Sequence, residues 1–183
     1  PGRIVFVSSG THLPGSILAR VMGVPAPRYT NAQALAFPDE ASAADRVNKP
    51  LKRYSTSKLC NVLCAYELSR HIDNPAIGVF AIDPGLMPET DLARELPDAL
   101  QPVFQGILMP LVQLHDNVRR VADSVAHVAR LVTDTTLDGR TALYFDGLRE
   151  RPSSPDSYDV DKAQDLWKTS AAITGIAERA ATP

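Results

Sequence analysis

Tyr54 and Lys58 stand four residues apart in the run Tyr54-Ser55-Thr56-Ser57-Lys58. On a helix that spacing puts both side chains on one face, a turn apart. A phenol exchanges protons poorly at neutral pH, its ordinary pKa being about 10. A neighbouring ammonium stabilises the phenolate, so the pair can donate a proton to a carbonyl oxygen. The same spacing also arises on plain solvated helices and carries little weight without partners. Two partners are present. Upstream, the apolar run Arg3-Ile4-Val5-Phe6-Val7 ends in Ser8-Ser9; downstream, Ile77-Gly78-Val79-Phe80-Ala81-Ile82 ends in Asp83-Pro84-Gly85, with Thr90 beyond. Open α/β sheets bind ligands outside the C-terminal ends of their strands. A hydroxyl, a Tyr-Lys helix and a Pro-Gly turn are therefore expected to meet in one crevice.

The elements that must position them follow from periodicity. Both runs are continuously apolar, which suits strands covered on two faces. Leu59, Val62, Leu63 and Tyr66 recur at helical spacing through 54–72, and Asp73-Asn74-Pro75 stops that helix. Residues 10–53 are proline-rich and weakly periodic; they read as a long surface insertion before the tyrosine, with a helical stretch near 39–47. Residues 86–117 read as a lid over the site. Val118, Val121, Ala122, Val125, Ala129 and Val132 form an apolar stripe, with Arg119, Asp123, His127 and Arg130 outside it. A third strand is expected over Ala142-Leu143-Tyr144-Phe145, after the Asp138-Gly139 turn. The last helix, near 160–178, is expected to bury Ala163, Leu166, Trp167, Ser170, Ile173 and Ala177. Strands alternating with helices predict an α/β fold: a Rossmann-like parallel sheet of about three strands, right-handed crossovers, and helices on both faces, in one partial domain spanning 1–183.

Composition narrows the classes of function. The chain has 183 residues, 44% hydrophobic and 22% charged, with a formal net charge of −2, which gives no electrostatic reason to expect nucleic acid or an anionic membrane. No apolar run is long enough for a membrane span. Cys60 and Cys64 lie four apart on one predicted helix, a poor geometry for a disulfide; a reducing, cytoplasmic setting is expected. His12, His71, His115 and His127 lack the spacing of a metal site, and no metal is expected.

The segments "RIVFVSS", "YSTSK" and "IDPGLMPET", in this order, resemble the active-site strand, the Tyr-x-x-x-Lys helix and the nicotinamide loop of short-chain dehydrogenases/reductases. "YSTSKLCNVLCAYELSR", the step from Pro84 to Thr90 and the tail "DKAQDLWKTSAAITGI" are similar to the protochlorophyllide reductase and retinol dehydrogenase branch. The resemblance implies an NAD(P)-dependent oxidoreductase passing hydride to a carbonyl or activated C=C. NADP is the cofactor implied by that branch, with NAD the alternative. Tyr54 would be the general acid/base and lie against the cofactor, Lys58 would assist it and bind the nicotinamide ribose, and Ser9, with Ser8 as second candidate, would hydrogen-bond the substrate oxygen. Pro84, Gly85, Met87 and Thr90 would hold the nicotinamide. Thr90 reads equally as the N-cap of a helix at Asp91. Cys60, which a substrate role would suit in the pigment-reducing branch, reads better as core packing. Apolar Leu86, Met87, Ile107, Leu108 and Met109 fit either a greasy small-molecule substrate or ordinary lid packing.

The family's glycine-rich pyrophosphate turn has no counterpart, since Gly10, Gly15 and Gly23 lack both its spacing and its strand–turn–helix setting. The chain therefore reads as the C-terminal, catalytic half of such a fold. Its first strand is expected to present an exposed apolar edge. Pairing with a missing N-terminal segment, or homo-oligomerisation, would cover that edge. The alternative is a non-catalytic fragment that keeps the fold and subunit contacts but cannot bind cofactor alone.

Overall fold

The computed structural model describes residues 1–16, 19–20, 23–38, 49–87 and 116–176. Its elements are β1 (Gly2–Val7), α1 (Ala32–Ala36), α2 (Lys49–His71), β2 (Ile77–Asp83), α3 (Val121–Thr133), β3 (Leu143–Asp146), β4 (Arg149–Glu150) and α4 (Val160–Thr174). The strands form one sheet in the order β1-β2-β3-β4. The first three are parallel, with Val5 opposite Phe80 and Phe80 opposite Leu143, and β4 returns antiparallel. The fold is a partial α/β domain. It has one strand more than the sequence pattern shows, because the two-residue β4 is too short to carry a pattern.

Helix α2 begins five residues before Tyr54, so the tyrosine sits in its second turn and does not open it. Pro50 is compatible with this start, since the first turn of a helix needs no N–H from it. One face of the sheet, carrying Phe6, Val79, Ala81 and Tyr144, packs on Val62, Ala65 and Tyr66 of α2. The opposite face packs Val5, Phe80, Ile82 and Phe145 against Leu131 and Val128 of α3. Both crossovers step the same way across the sheet, yet their helices lie on opposite faces. Two such crossovers have opposite hands, so one of them is left-handed. That corrects the expectation of uniform right-handedness, which holds for about 98% of such units. The rule reflects the twist of a direct connection, and residues 84–120 separate β2 from α3.

Two stripes also differ from expectation. In α3, Ser124 and Leu131 are buried, while Ala122, Val125, Ala129 and Val132 face solvent; Arg119, just before the helix, is half-buried. The stripe is rotated because Leu131, the largest apolar side chain of the helix, takes the place against Phe80 and Phe145. In α4, Ala163 and Leu166 are buried, Trp167 is half-buried, and Ser170 and Ile173 are exposed. Ala177 lies outside the described residues, as do the helical stretch expected at 39–47 and residues 88–115 of the expected lid. Nor is the insertion purely superficial. Tyr29 and Ala32 join Leu59, Leu63, Ala163 and Leu166 in a core cluster between α2 and α4. The Tyr29 hydroxyl donates to Asp165 at 2.7 Å, which also accepts the Ala32 N–H at 2.7 Å.

Candidate active site

The three parallel strands end together, at Val7, Asp83 and Asp146, and the described candidate residues lie near that edge. The Ser8 hydroxyl, buried, donates to the Lys58 carbonyl at 2.7 Å. Lys58 Nζ reaches back to donate to the Val7 carbonyl at 3.4 Å, and Asn61 Nδ2 donates to the same oxygen at 2.9 Å. The ammonium sits 5.5 Å from the centroid of the Tyr54 ring, as their four-residue spacing requires. Burial lowers the Lys58 pKa from its ordinary value, and Asp83 acts in the opposite direction. Tyr54 is 42% exposed, so its phenol faces open space beside the strand ends. Ser8 thus bonds the backbone of Lys58, whose ammonium lies between the end of β1 and the Tyr54 ring.

Ser9 follows Ser8 in extended backbone. Its hydroxyl accepts the Thr11 N–H at 3.3 Å, capping a short 3-10 turn over Gly10–His12. A serine hydroxyl has a second lone pair and its own proton to spare, so capping leaves it able to donate.

The Pro84-Gly85 turn is stapled from several sides. Asp83, 3% exposed, accepts the Gly85 N–H at 2.9 Å and the Asn117 side-chain amide at 2.7 Å. Ser124 Oγ donates to the Pro84 carbonyl at 2.8 Å. Leu86 pairs with Val118, its N–H bonding the Asn117 carbonyl at 2.8 Å and its carbonyl accepting the Arg119 N–H at 2.9 Å. Gly85 has φ +90°, and a Cβ there would lie 2.6 Å from the Asn117 carbonyl oxygen. Close approach inside the protein is therefore already a reason for glycine. Arg119 also pairs with Asp146 at the end of β3. Met87 is half-buried at the end of this turn. Thr90 lies outside the described residues.

Cys60 packs beside the Leu59–Leu63 cluster, and burial with the neighbouring Cys64 pushes its thiol up to about 12. It behaves as a core residue. The sequence pattern does not mark Asn61, Asn117, Arg119 or Ser124 as part of the site. Asn61 carries a signal all the same, being one turn on from Lys58. Asn117 and Arg119 carry none, since only the fold brings them to Asp83.

No family model matches the chain. Curated proteins do. The chain is 30% identical over 135 residues to the short-chain dehydrogenase iccH of Talaromyces variabilis, covering 68% of this chain and 37% of that protein. It is 29% identical over 163 residues to mouse retinol dehydrogenase 13, covering 85% and 48%. To the WW domain-containing oxidoreductase of Drosophila melanogaster it is 31% identical over 174 residues, covering 92% and 36%. A solved structure from Mycobacterium paratuberculosis superposes with TM-score 0.47 and 21% identity over 94% of this chain and 50% of that one, too distant to add to the fold described above. The chain belongs to the short-chain dehydrogenase/reductase family, a family of oxidoreductases, and retinol dehydrogenases recur among its relatives. It spans about half or less of the length of the curated relatives it matches.

Proposed function

We propose that this chain carries the catalytic side of an NAD(P)-dependent oxidoreductase that reduces a carbonyl or an activated C=C of a small, apolar molecule. The observation that carries the reading is Lys58, held between the end of β1 and the Tyr54 ring. In this reading Tyr54 delivers the proton to the substrate oxygen, and Lys58 supplies the positive charge that balances the phenolate left behind. Ser9, with Ser8 second, donates to the oxygen where negative charge builds, an interaction worth most where water is excluded.

The residues present suit the nicotinamide half of a cofactor. The Lys58 ammonium has donors to spare for ribose hydroxyls. The Pro84-Gly85 turn offers backbone without a side chain, and Met87 and Thr90 follow to hold the carboxamide. The nicotinamide, when bound, supplies the hydride. NADP is favoured over NAD by likeness to the branch named above. Among the described residues nothing corresponds to the pyrophosphate turn.

That gap supports a second reading, a fragment that keeps the fold but cannot bind cofactor alone. No described strand pairs with the outer edge of β1, where Ile4 and Val7 are 37% and 43% exposed. Such an edge favours pairing with a further N-terminal segment or a second copy of the chain. Among the described residues no helix is long and apolar enough to cross a membrane, and the free thiols of Cys60 and Cys64 suit the cytoplasm.

Titration of NADPH and NADH fluorescence separates the two readings. Micromolar binding by the chain supports a site completed by self-association; no binding at millimolar cofactor assigns the chain alone to the second reading. In the whole enzyme, Tyr54→Phe should abolish turnover and leave cofactor affinity unchanged. Normal turnover would remove Tyr54 from the mechanism.

A further inference from the structure

His12, three residues after Ser9, is fully buried and has no part in the chemistry above. Its Nδ1 lies 2.6 Å from the Ser9 carbonyl oxygen, and its Nε2 accepts the Ser154 backbone N–H at 3.4 Å. A carbonyl only accepts and an amide N–H only donates, so one tautomer fits, with the proton on Nδ1 and the lone pair on Nε2. A protonated ring would set an N–H against the N–H of Ser154. Burial lowers the pKa of His12, against smaller opposing pulls from the hydrogen bond to the Ser9 carbonyl and from Asp83 on β2. The Tyr144 ring of β3 meets the imidazole edge-on at 5.0 Å. These contacts suit a neutral ring held in one orientation.

Ser154 is in turn anchored. Ser153 Oγ bonds the Tyr66 hydroxyl of α2 at 2.7 Å and Ser157 Oγ at 2.6 Å. Ser157 Oγ donates to the Ser154 carbonyl at 2.6 Å, and the Ser153 N–H donates to the Tyr158 hydroxyl at 3.0 Å. Ser153, Ser154 and Ser157 are all buried. Tyr66 stands roughly two turns beyond Lys58 on the same helix. A line of buried hydrogen bonds thus runs from the Ser9 carbonyl, through His12 and the 153–157 segment, to the helix that carries Tyr54 and Lys58. The turn needs such a brace. It leaves an edge strand with no described neighbour on its outer side, and its own cap from Ser9 Oγ is long, at 3.3 Å.

We propose that His12 is a positioning residue, a neutral strut that sets the Ser9 hydroxyl against Tyr54 and Lys58 by tying the Ser9 turn to Ser154. This rests on the reading of Ser9, Tyr54 and Lys58 as the catalytic group. The first test needs no activity. Long-range 15N–1H correlation spectra of the histidine rings should show His12 protonated on Nδ1 only at neutral pH. An Nε2–H tautomer, or an imidazolium, overturns the proposal.

The second test compares variants of the whole enzyme with NADPH. His12→Leu fills the space without a donor, whereas His12→Asn keeps an N–H near the Nδ1 position. His12→Leu should lower kcat by between ~10- and ~100-fold, the scale of a displaced reacting group, with the cofactor KM within about twofold. His12→Asn should lose as much, because its amide can bond the Ser9 carbonyl but does not reach Ser154. If the leucine variant does not fold, His12→Met replaces it. Methionine fills a similar volume with an unbranched, adaptable chain and likewise brings no donor. It should lower kcat in the same way. Wild-type kcat in the leucine or methionine variant, or recovery of kcat in the asparagine variant, overturns the strut. Ser9→Ala run alongside separates the two layers. An active Ser9→Ala enzyme removes the serine reading and the strut with it; an inactive one beside a fully active His12→Leu removes the strut alone.

Discussion

Replacing Gly85 with alanine tests whether the Pro-Gly turn is shaped by the protein's own packing. Two costs add. At φ +90° a side chain pays the left-handed backbone penalty, about 1–2 kcal/mol. The new Cβ would also lie 2.6 Å from the Asn117 carbonyl oxygen and 2.7 Å from Arg119 Nη1. The arginine end can swing, but the carbonyl is backbone and is held by the Leu86 N–H at 2.8 Å. Overpacking of this kind costs about 1–3 kcal/mol. The sum is about 2–5 kcal/mol, which for a chain of this size lowers Tm by roughly 4–20 °C. Gly139→Ala is the control, because Gly139 has φ +74° with nothing within 4 Å of a Cβ; it should show the backbone penalty alone. Thermal unfolding followed by circular dichroism measures both. If the two variants lose the same stability, the close approach to Asn117 contributes nothing and the packing argument fails.

Asp83→Asn should cost about 1–3 kcal/mol in urea unfolding, because an amide cannot accept both the Gly85 N–H and the Asn117 amide that the buried carboxylate accepts; an unchanged midpoint would mean that the pair forms in neither state. His12 titrates below its ordinary 6.5 in the folded protein, so between its folded value and 6.5 the unfolded chain holds more protons. Its contribution is therefore complete above about 6.5 and fades as pH falls through that window. His127 is lowered too, by burial and Arg119, and acts with the same sign. The urea midpoint should drop from about pH 7 to pH 5 and drop less in His12→Asn; equal slopes would show that His12 is not buried neutral. Cys60 and Cys64, with thiols pushed up to about 12 and about 11, should react slowly with iodoacetamide in the folded protein at about pH 8. Labelling at the rate of the unfolded chain would count against their place in the core.

Strand β2 is legible in the sequence itself, because a strand buried on both faces writes itself as an unbroken apolar run; β1 shows the same run although, at the sheet edge, its residues are only half-buried or exposed. The four-residue step from Tyr54 to Lys58 is equally local, since helix geometry alone puts the two on one face. Where Lys49–Arg53 joins α2, no apolar stripe marks the turn, and Pro50 looks like a boundary although a first turn tolerates it. The buried face of α3 is not legible in this way, because alanine and valine look like core on any side of a helix. Which side is covered depends on the sheet beneath it, where Phe80, Ile82 and Phe145 receive Leu131. The opposite hands of the two crossovers likewise belong to the layers and to no single element. Contacts that brace the site join residues far apart in the chain: His12 to Ser154, Asp83 to Asn117, Arg119 to Asp146. Periodicity records how one element divides its residues between water and core. A hydrogen bond between distant residues forms only when tertiary packing brings both away from water, leaving each as the other's partner.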